Sequence, residues 1–158
     1  MPDTIALIAH DSKKDALVNL AIAHAPVLAR YRLIATGTTG QRVQAATNLA
    51  IDQKLSGPLG GDTQIAAEIC SGRVLAVIFL VDPLYAQPHE PDIQALLRVC
   101  NVHGVILATN GVTAEAVLQY FAKQQEAHLI FNPVAGQGNA EQELQLIQQL
   151  LQPHMNLH

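Results

Sequence analysis

The stretch IALIAHDSKK, residues 5–14, decides the fold class. Its unbroken apolar run predicts a strand that is covered on both faces, as strands of parallel sheets are. Polar residues follow at once, and then apolar residues at helical spacing. The same succession recurs along the chain and predicts strands at Ile5–Ala9, Tyr31–Ala35, Val74–Val81, Val105–Ala108 and His128–Phe131, with a weaker candidate at Ile51–Leu55.

Between these runs, apolar residues recur three and four positions apart, which predicts amphipathic helices. The helical stripes are Leu17, Leu20, Ala21 and Leu28; Ile65 and Ile69; Ile93, Leu96, Leu97 and Cys100; Val117, Leu118 and Phe121; and Leu144, Ile147 and Leu151. Pro91 stands where a first helical position is expected, and Gly72 stands just after a helix end. Strands that alternate with helices indicate a single α/β domain with a doubly wound, Rossmann-like parallel sheet.

Composition narrows the classes of protein to consider. The chain has 158 residues, of which 49% are hydrophobic and 14% charged, which argues against disorder. A net charge of −4 without any Lys/Arg run argues against a nucleic-acid partner. The apolar run Val74–Val81 is too short to cross a membrane, and the N-terminus has no targeting pattern. With two isolated cysteines, these features predict a soluble cytoplasmic protein.

Polar and ionisable residues collect where the predicted strands end. The carboxyl ends of parallel strands share one edge of the sheet, and ligands bind there. The segments that follow the strands are Ala9–Lys14, Thr36–Gly40, Ser56–Asp62, Asp82–Leu84 continuing to Pro88–Asp92, and Thr109–Asn110.

The segment Thr36–Gly40 has the features of a small anion site. Its glycines allow a ligand to approach the backbone, its hydroxyls can donate, and a helix N-terminus attracts negative charge. It matches neither the dinucleotide fingerprint nor a Walker loop, so a small phosphate monoester suits it better than a nucleotide. The alternative is an ordinary helix start with a threonine cap.

The segment Ser56–Asp62 places three glycines and a proline around one carboxylate. Taken alone, Asp62 is more simply interpreted as the N-cap of a helix that begins near Thr63. The functional alternative makes Asp62 a base, because a carboxylate that is partly removed from water can accept a proton near neutral pH. Ser56 and Gly57 would then lie close to a phosphate.

Two functional classes remain open from the residues alone. One is an acid–base lyase or isomerase that acts on a small phosphorylated carbonyl compound, and the other is a regulatory domain that only binds a phosphorylated effector. Carboxylates beside an anion weaken its binding, so several of them favour proton transfer. No spacing typical of a metal site is present, and we predict no metal. The carboxylates of this edge are Asp11, Asp62, Asp82 and Asp92.

The motifs IALIAHDSKK, LIATGTTG, LSGPLGGD, VIFLVDPLYAQPHEPDIQALLRVC and ATN, in this order, closely resemble methylglyoxal synthases. The resemblance covers residues 1–132 and implies a lyase that converts dihydroxyacetone phosphate to methylglyoxal and phosphate. It also implies a homohexamer that needs no metal or organic cofactor. The fold also resembles the effector domain of carbamoyl-phosphate synthetase, which keeps the binding alternative open. Asp62 within Gly-Gly-Asp, together with the Pro-His-Glu-Pro-Asp motif, favours the enzyme.

Carried over by position, the resemblance assigns roles to individual residues. It implies that Asp62 is the catalytic base and that His89 acts on the carbonyl and enediolate oxygens. The supporting catalytic carboxylates are Asp11, Asp82 and Asp92. The implied substrate and phosphate contacts are His10, Lys14, Thr36, Gly37, Thr38, Thr39, Ser56, Gly57 and His89. Two departures from the family are Glu90 in place of Asp and the lack of an arginine after Arg98.

The segment AHLIFNPVAGQGN, residues 127–139, resembles the opening of a diacylglycerol kinase or related lipid kinase domain. A helix at Ala140–Gln152 and the start of a strand at Met155–His158 would continue that pattern, with the strand left unpartnered. We therefore expect residues 133–158 to form an extension packed on the same domain, derived from a longer fusion. The alternative is a segment that closes the synthase sheet, and no kinase activity is expected in either case.

Overall fold

The structure is a computed structural model that describes residues 3–84, 90–127, 145–147, 149 and 155–157. The strands are β1 (Thr4–Ala9), β2 (Arg32–Thr36), β3 (Ile51–Lys54), β4 (Val74–Leu80), β5 (Ile106–Ala108), β6 (Gln125–Ala127) and β7 (Met155–Leu157). The helices are α1 (Lys14–Ala23), α2 (Ala25–Leu28), α3 (Gly37–Thr47), α4 (Gly61–Cys70), α5 (Glu90–His103) and α6 (Gly111–Lys123). The chain divides into two compact units, residues 1–117 and 118–158.

The first unit is built on a five-stranded sheet in the order β3-β2-β1-β4-β5, in which every neighbouring pair is parallel. The chain winds outward from β1 to β3 on one side and then passes to β4 and β5 on the other. The predicted doubly wound α/β fold is confirmed. All six residues of β1 are buried, as expected for a central strand covered by helices on both faces.

Apolar side chains on one face of the sheet pack with helices α4 and α5. This cluster joins alternate residues of the central strands, such as Ile8 and Phe79, to Ile65, Ile93 and Leu96 of the two helices. Helices α1 and α3 contact each other and the sheet. The hydrophobic packing holds the strand ends rigidly, so the loops that leave their carboxyl ends start from fixed positions.

Local structure differs from the sequence expectations in two places. The apolar stripe from Leu17 to Leu28 is not one helix but two, because the backbone turns at His24 (φ −112°, ψ 19°) and Pro26 lies in the first turn of α2. Helix α5 begins at Glu90, one residue before the expected Pro91. Gly72 follows the end of α4 with φ +73°, as predicted for a residue after a helix end.

In the second unit, β6 and β7 form a two-stranded parallel sheet in which Gln125 lies opposite Met155. The expectation that the strand beginning at Met155 lacks a partner is therefore wrong. The predicted strand His128–Phe131 and most of the helix Ala140–Gln152 lie outside the described residues. So does the expected domain boundary after Asn132, which stays a prediction. Among the described helices, none is both long and apolar enough to span a membrane.

Candidate active site

A cavity of about 270 Å³ lies at the carboxyl ends of β1 and β2, against the loop that follows β3. This is the edge at which the sequence placed the polar segments. Three loops and the ends of β1 and β4 contribute its walls. The described lining residues are Ile8, Ala9, His10, Asp11, Lys14, Thr36, Thr38, Thr39, Ser56, Gly57, Pro58, Asp62 and Phe79.

His10 immediately follows β1 and is buried, with 6% of its surface exposed. The backbone N–H of Asp82 donates to its Nδ1 at 2.9 Å. Because that nitrogen accepts a hydrogen bond, it carries no proton, and the neutral ring must carry its proton on Nε2. The ring edge meets Phe79 in a T-shaped contact with centroids 5.2 Å apart. His10 is thus held as a hydrogen-bond donor in the wall of the cavity.

Lys14, at the start of α1, connects two walls of the cavity. Its ammonium donates to the carboxylate of Asp11 and to the hydroxyl of Thr38 on α3. The hydrogen bond from Lys14 and then its charge hold the pKa of Asp11 below the ordinary value, so Asp11 is ionised at neutral pH. Asp11 is highly exposed, with 93% of its side chain accessible, which suits it to orienting Lys14 rather than to taking a proton.

The N-terminus of α3 opens directly on the cavity. Thr36 occupies the cap position but makes no capping hydrogen bond, and its hydroxyl donates instead to that of Thr39 at 3.4 Å. The side chain of Thr36 therefore does not cap the first amides of α3, and the alternative interpretation of this segment as a threonine-capped helix start is wrong. Gly37 allows a close approach of the two segments, because a Cβ there would lie 3.3 Å from the backbone nitrogen of Ser56, which is tighter than ordinary van der Waals contact.

The loop after β3 folds tightly against itself. The carbonyl of Ser56 accepts hydrogen bonds from the amides of Leu59 and Gly61, both at 3.0 Å. A Cβ at Gly61 would come within 2.0 Å of the carbonyl oxygen of Leu55, so only glycine fits. This close passage brings Ser56 and Gly57 to the same cavity as the N-terminus of α4.

Asp62 is the second residue of α4 and is 1% exposed, although it lines the cavity. The interpretation of Asp62 as an N-cap is wrong, since the helix begins at Gly61 and Gly60 occupies the cap position with φ +95°. Burial strips water from a carboxylate and strengthens it as a base, while the helix N-terminus favours its ionised form. The two effects together suit a group that must be ionised and reactive.

Two other candidates, Asp82 and Asp92, are not among the described lining residues. Asp82 follows β4, and its carboxylate accepts from the hydroxyl of Ser12 at 2.5 Å and from the amide of Leu84 at 3.1 Å. These two hydrogen bonds, that of Ser12 first, lower its pKa. Asp92 lies exposed in the first turn of α5, and His89 is outside the described residues. Within the described part of the chain, no three His, Cys, Asp or Glu side chains come together in a way that could hold a metal.

Sequence reasoning missed Phe79, Pro58 and Ser12. The apolar run of β4 gives no sign that Phe79 reaches the cavity, although it is the last but one residue of a central strand. Pro58 stands within the recognised loop without a role assigned to it. Ser12 bonds to a carboxylate 70 positions away, which only the pairing of β1 with β4 makes possible.

Comparison with known proteins identifies the family. The family model described as an MGS-like domain matches residues 16–109. A protein of Thermus thermophilus named methylglyoxal synthase is 64% identical over 119 residues, which are 75% of this chain and 94% of that protein. The chain belongs to the methylglyoxal synthase family. The predicted family and the predicted class of enzyme, a lyase of the methylglyoxal synthase type, are confirmed.

Two further comparisons agree with this membership. A methylglyoxal synthase of Burkholderia multivorans is 57% identical over 122 residues, 77% of this chain and 94% of that protein. A crystal structure of methylglyoxal synthase from Elizabethkingia anophelis NUHP1 is similar with a TM-score of 0.69 at 43% identity, over 73% of this chain and 76% of that one. The structural comparison therefore confirms the methylglyoxal synthase-like fold that was predicted from the sequence.

A longer relative matches almost the whole chain. The uncharacterized protein sll0036 of Synechocystis is 61% identical over 153 residues, which are 97% of this chain but only 35% of that protein. The chain thus spans about a third of that relative's length. The match reaches beyond the part shared with the methylglyoxal synthase of Thermus, so it includes part of the C-terminal segment.

Proposed function

We propose that this chain converts dihydroxyacetone phosphate to methylglyoxal and inorganic phosphate in the cavity described above. One observation carries the proposal: the buried carboxylate of Asp62 shares a small cavity with Lys14 and with the N-terminus of α3. A pocket for an anion gains nothing from a buried carboxylate unless that group takes part in chemistry. The family membership supports the same reaction.

The phosphate of the substrate occupies the side formed by α3 and the loop after β3. There the amides of Thr38, Thr39 and Gly57 and the hydroxyls of Thr38, Thr39 and Ser56 can donate to its oxygens. The amide of Gly37 already donates to the carbonyl of Leu55 at 3.1 Å. Lys14 supplies a positive charge at the mouth. The carboxylate of Asp11 holds Lys14 toward Thr38 without competing for a proton, since its pKa is lowered.

Asp62 removes a proton from the substrate carbon that bears the free hydroxyl. The electrons of the broken C–H bond form a carbon–carbon double bond, and the carbonyl oxygen becomes an enediolate oxygen. In the elimination, the hydroxyl gives up its proton to the departing phosphate and becomes the aldehyde oxygen, and the carbon–carbon double bond shifts to the carbon that bears the phosphate. The C–O bond to phosphate breaks, and its electrons leave with the phosphate. The remaining enolate gains a proton at its terminal carbon, from the protonated Asp62, to give methylglyoxal.

The negative charge that develops on the carbonyl oxygen must be stabilised by a hydrogen-bond donor that keeps its own proton. His10 meets this requirement, because its neutral ring carries the proton on Nε2. The resemblance assigns the same task to His89, and its role stays part of the proposal. His89→Asn should lower turnover by about tenfold or more with little loss of phosphate binding, as for a group that acts on the reacting oxygen. Unchanged turnover would exclude His89 from the chemistry.

The direct test is to incubate the protein with dihydroxyacetone phosphate and to measure methylglyoxal and phosphate together. We expect both products in equal amounts. If phosphate binds and no turnover occurs, the chain is an effector-binding domain, the alternative that nothing in the structure or the comparisons favours.

The assembly and the C-terminal segment belong to the same proposal. We expect a homohexamer in the cytoplasm, and sedimentation of a monomer at micromolar concentration would contradict this assembly. Residues 133–158 are proposed to be an extension of the catalytic domain that originates from the start of a lipid-kinase-like domain. The length of sll0036 supports a fused relative. A gene that ends directly after the codon of His158 would contradict the fusion.

A further inference from the structure

Asp82 joins the turn after β4 to the loop after β1 through two hydrogen bonds and makes a third within its own turn. Its backbone N–H donates to Nδ1 of His10, and its two carboxylate oxygens accept from the hydroxyl of Ser12 and the amide of Leu84. None of the three partners is adjacent to Asp82 in sequence. The arrangement is a clamp that consists of Ser12, Asp82 and His10.

The main chain of His10 is fixed independently of its ring. Its amide donates to the carbonyl of Leu80 at 3.1 Å, and its carbonyl accepts from the amide of Lys13 at 2.8 Å. These bonds set where the side chain begins but not which ring nitrogen carries the proton. The amide of Asp82 distinguishes Nδ1 from Nε2, because an amide can donate only to the nitrogen that lacks a proton.

The hydroxyl of Ser12 donates to the carboxylate of Asp82, the residue whose amide contacts the ring of His10. Ser12 lies in the short Asp11–Lys13 turn, and its hydroxyl bonds to Asp82 rather than to its own backbone. The hydrogen bond is charge-assisted, since the lowered pKa of Asp82 keeps the acceptor carboxylate ionised, and its donor and acceptor oxygens lie 2.5 Å apart. It ties the turn after β4 to the loop that carries His10.

We propose that Ser12 is a positioning residue that acts through Asp82 to keep the proton of His10 on Nε2, where it can donate to the substrate oxygen. The clamp thereby selects one of two neutral forms of the imidazole. This inference rests on the proposed function for its catalytic consequence, but the form of the ring can be measured in the free protein. It gives Asp82 a task outside the cavity, since Asp82 is not one of the described lining residues.

The test combines nuclear magnetic resonance of histidine nitrogens with kinetics. Each ring nitrogen has a shift that depends on whether it carries a proton, and the signals of His10 among the seven histidines are assigned by their loss in His10→Gln. In the unmodified protein we expect a single neutral form with the proton on Nε2. Ser12→Ala should give a mixture of the two forms and lower kcat by about tenfold with KM changed less than about twofold. Ser12→Thr should restore both readouts.

The control is Ser71→Ala, which removes an exposed hydroxyl that bonds to the carbonyl of Glu68 at the end of α4, away from the cavity. It should leave the ring form and kcat unchanged. The inference is overturned if the unmodified protein has its proton on Nδ1, or if Ser12→Ala keeps the single Nε2 form. If dihydroxyacetone phosphate is not turned over at all, the proposed function fails, and the resonance measurement still decides the inference.

Discussion

Two charged clusters in the first unit contain a lysine of nearly equal burial, yet their surroundings differ. In the mouth cluster, Lys14 contacts Asp11 and Thr38, and its side chain is 13% exposed. In the edge cluster, Lys54 of β3 contacts Asp52 at 2.8 Å and Glu68 at 3.6 Å, and its side chain is 15% exposed. The remaining members of the edge cluster are Arg32 and Arg73.

In the edge cluster the charged groups pair with one another, whereas the mouth cluster lies in the wall of the cavity. Arg32 bonds to Asp52 and Arg73 bonds to Glu68, both at 2.7 Å, so each charge in the edge cluster meets an opposite charge. No member of the edge cluster is among the described lining residues, whereas all three members of the mouth cluster are. Residue type and burial alone therefore do not identify a functional lysine. A lysine is a functional candidate when the groups that contact its ammonium lie with it in the wall of a cavity, so that the ammonium can donate to a ligand there.

The largest effect that the comparison predicts concerns the carboxylates. Asp62→Asn should lower kcat by at least ~10²-fold, the low end for a positioned base, because an amide cannot accept the substrate proton. The matched change Asp52→Asn in the edge cluster should leave kcat unchanged within about twofold. Steady-state kinetics on both variants measures this. Comparable losses in the two would show that the assignment of Asp62 is incorrect.

The second effect concerns the two lysines. Lys14→Gln should raise KM for the phosphorylated substrate by about tenfold, because it removes a charge-assisted hydrogen bond to phosphate. Lys54→Gln should leave KM unchanged and lower the free energy of unfolding by about 1 kcal/mol, as for a partly exposed ion pair. Substrate titrations and urea unfolding of both variants separate the two outcomes. An equal rise in KM would mean that the effect of Lys14 is not specific to the cavity.

The smallest effect is on stability at acid pH. Hydrogen bonds from Lys54 and Arg73 are the main causes that hold the pKa values of Asp52 and Glu68 below their ordinary 3.8 and 4.5. Because the folded chain has the lower pKa values, this contribution to stability is complete above the unfolded values and is lost as pH falls below them. The urea midpoint of Glu68→Gln should therefore decline less steeply below about pH 4.5 than that of the unmodified protein. Parallel declines would contradict this sign.

The sequence predicted the central strands because their apolar runs have few polar interruptions. The predicted ends of β1, β2 and β4 lie within one residue of those observed, since turn residues or charges follow each run. β3 was only a weak candidate because Asp52, Gln53 and Lys54 are polar. As one of the two edge strands of the sheet, it exposes side chains that a central strand would bury.

The sequence predicted the local segments of the candidate site but not the contacts between segments that are far apart in the chain. The pattern of glycines and hydroxyls located Thr36–Gly40 and Ser56–Asp62, because parallel strands bring such segments to one edge. The apolar pattern of the helices did not predict the break between α1 and α2 at His24, since the apolar stripe continues past Pro26. Nor could it predict the bond between Ser12 and Asp82, because the adjacency of β1 and β4 is a property of the whole sheet.

The proposed reaction begins with removal of a substrate proton by Asp62 in a cavity that also binds phosphate. One resonance experiment tests this directly: dihydroxyacetone phosphate is added to the unmodified protein and to Asp62→Asn, and the protons of the hydroxyl-bearing carbon are followed. With the unmodified protein, we expect the signal of these two protons to disappear as methylglyoxal forms, because one is removed and the other becomes the aldehyde proton. Asp62→Asn should leave them intact while the amide signals of Thr38 and Thr39 still shift with phosphate. Loss of the substrate protons at the same rate in both proteins would contradict it.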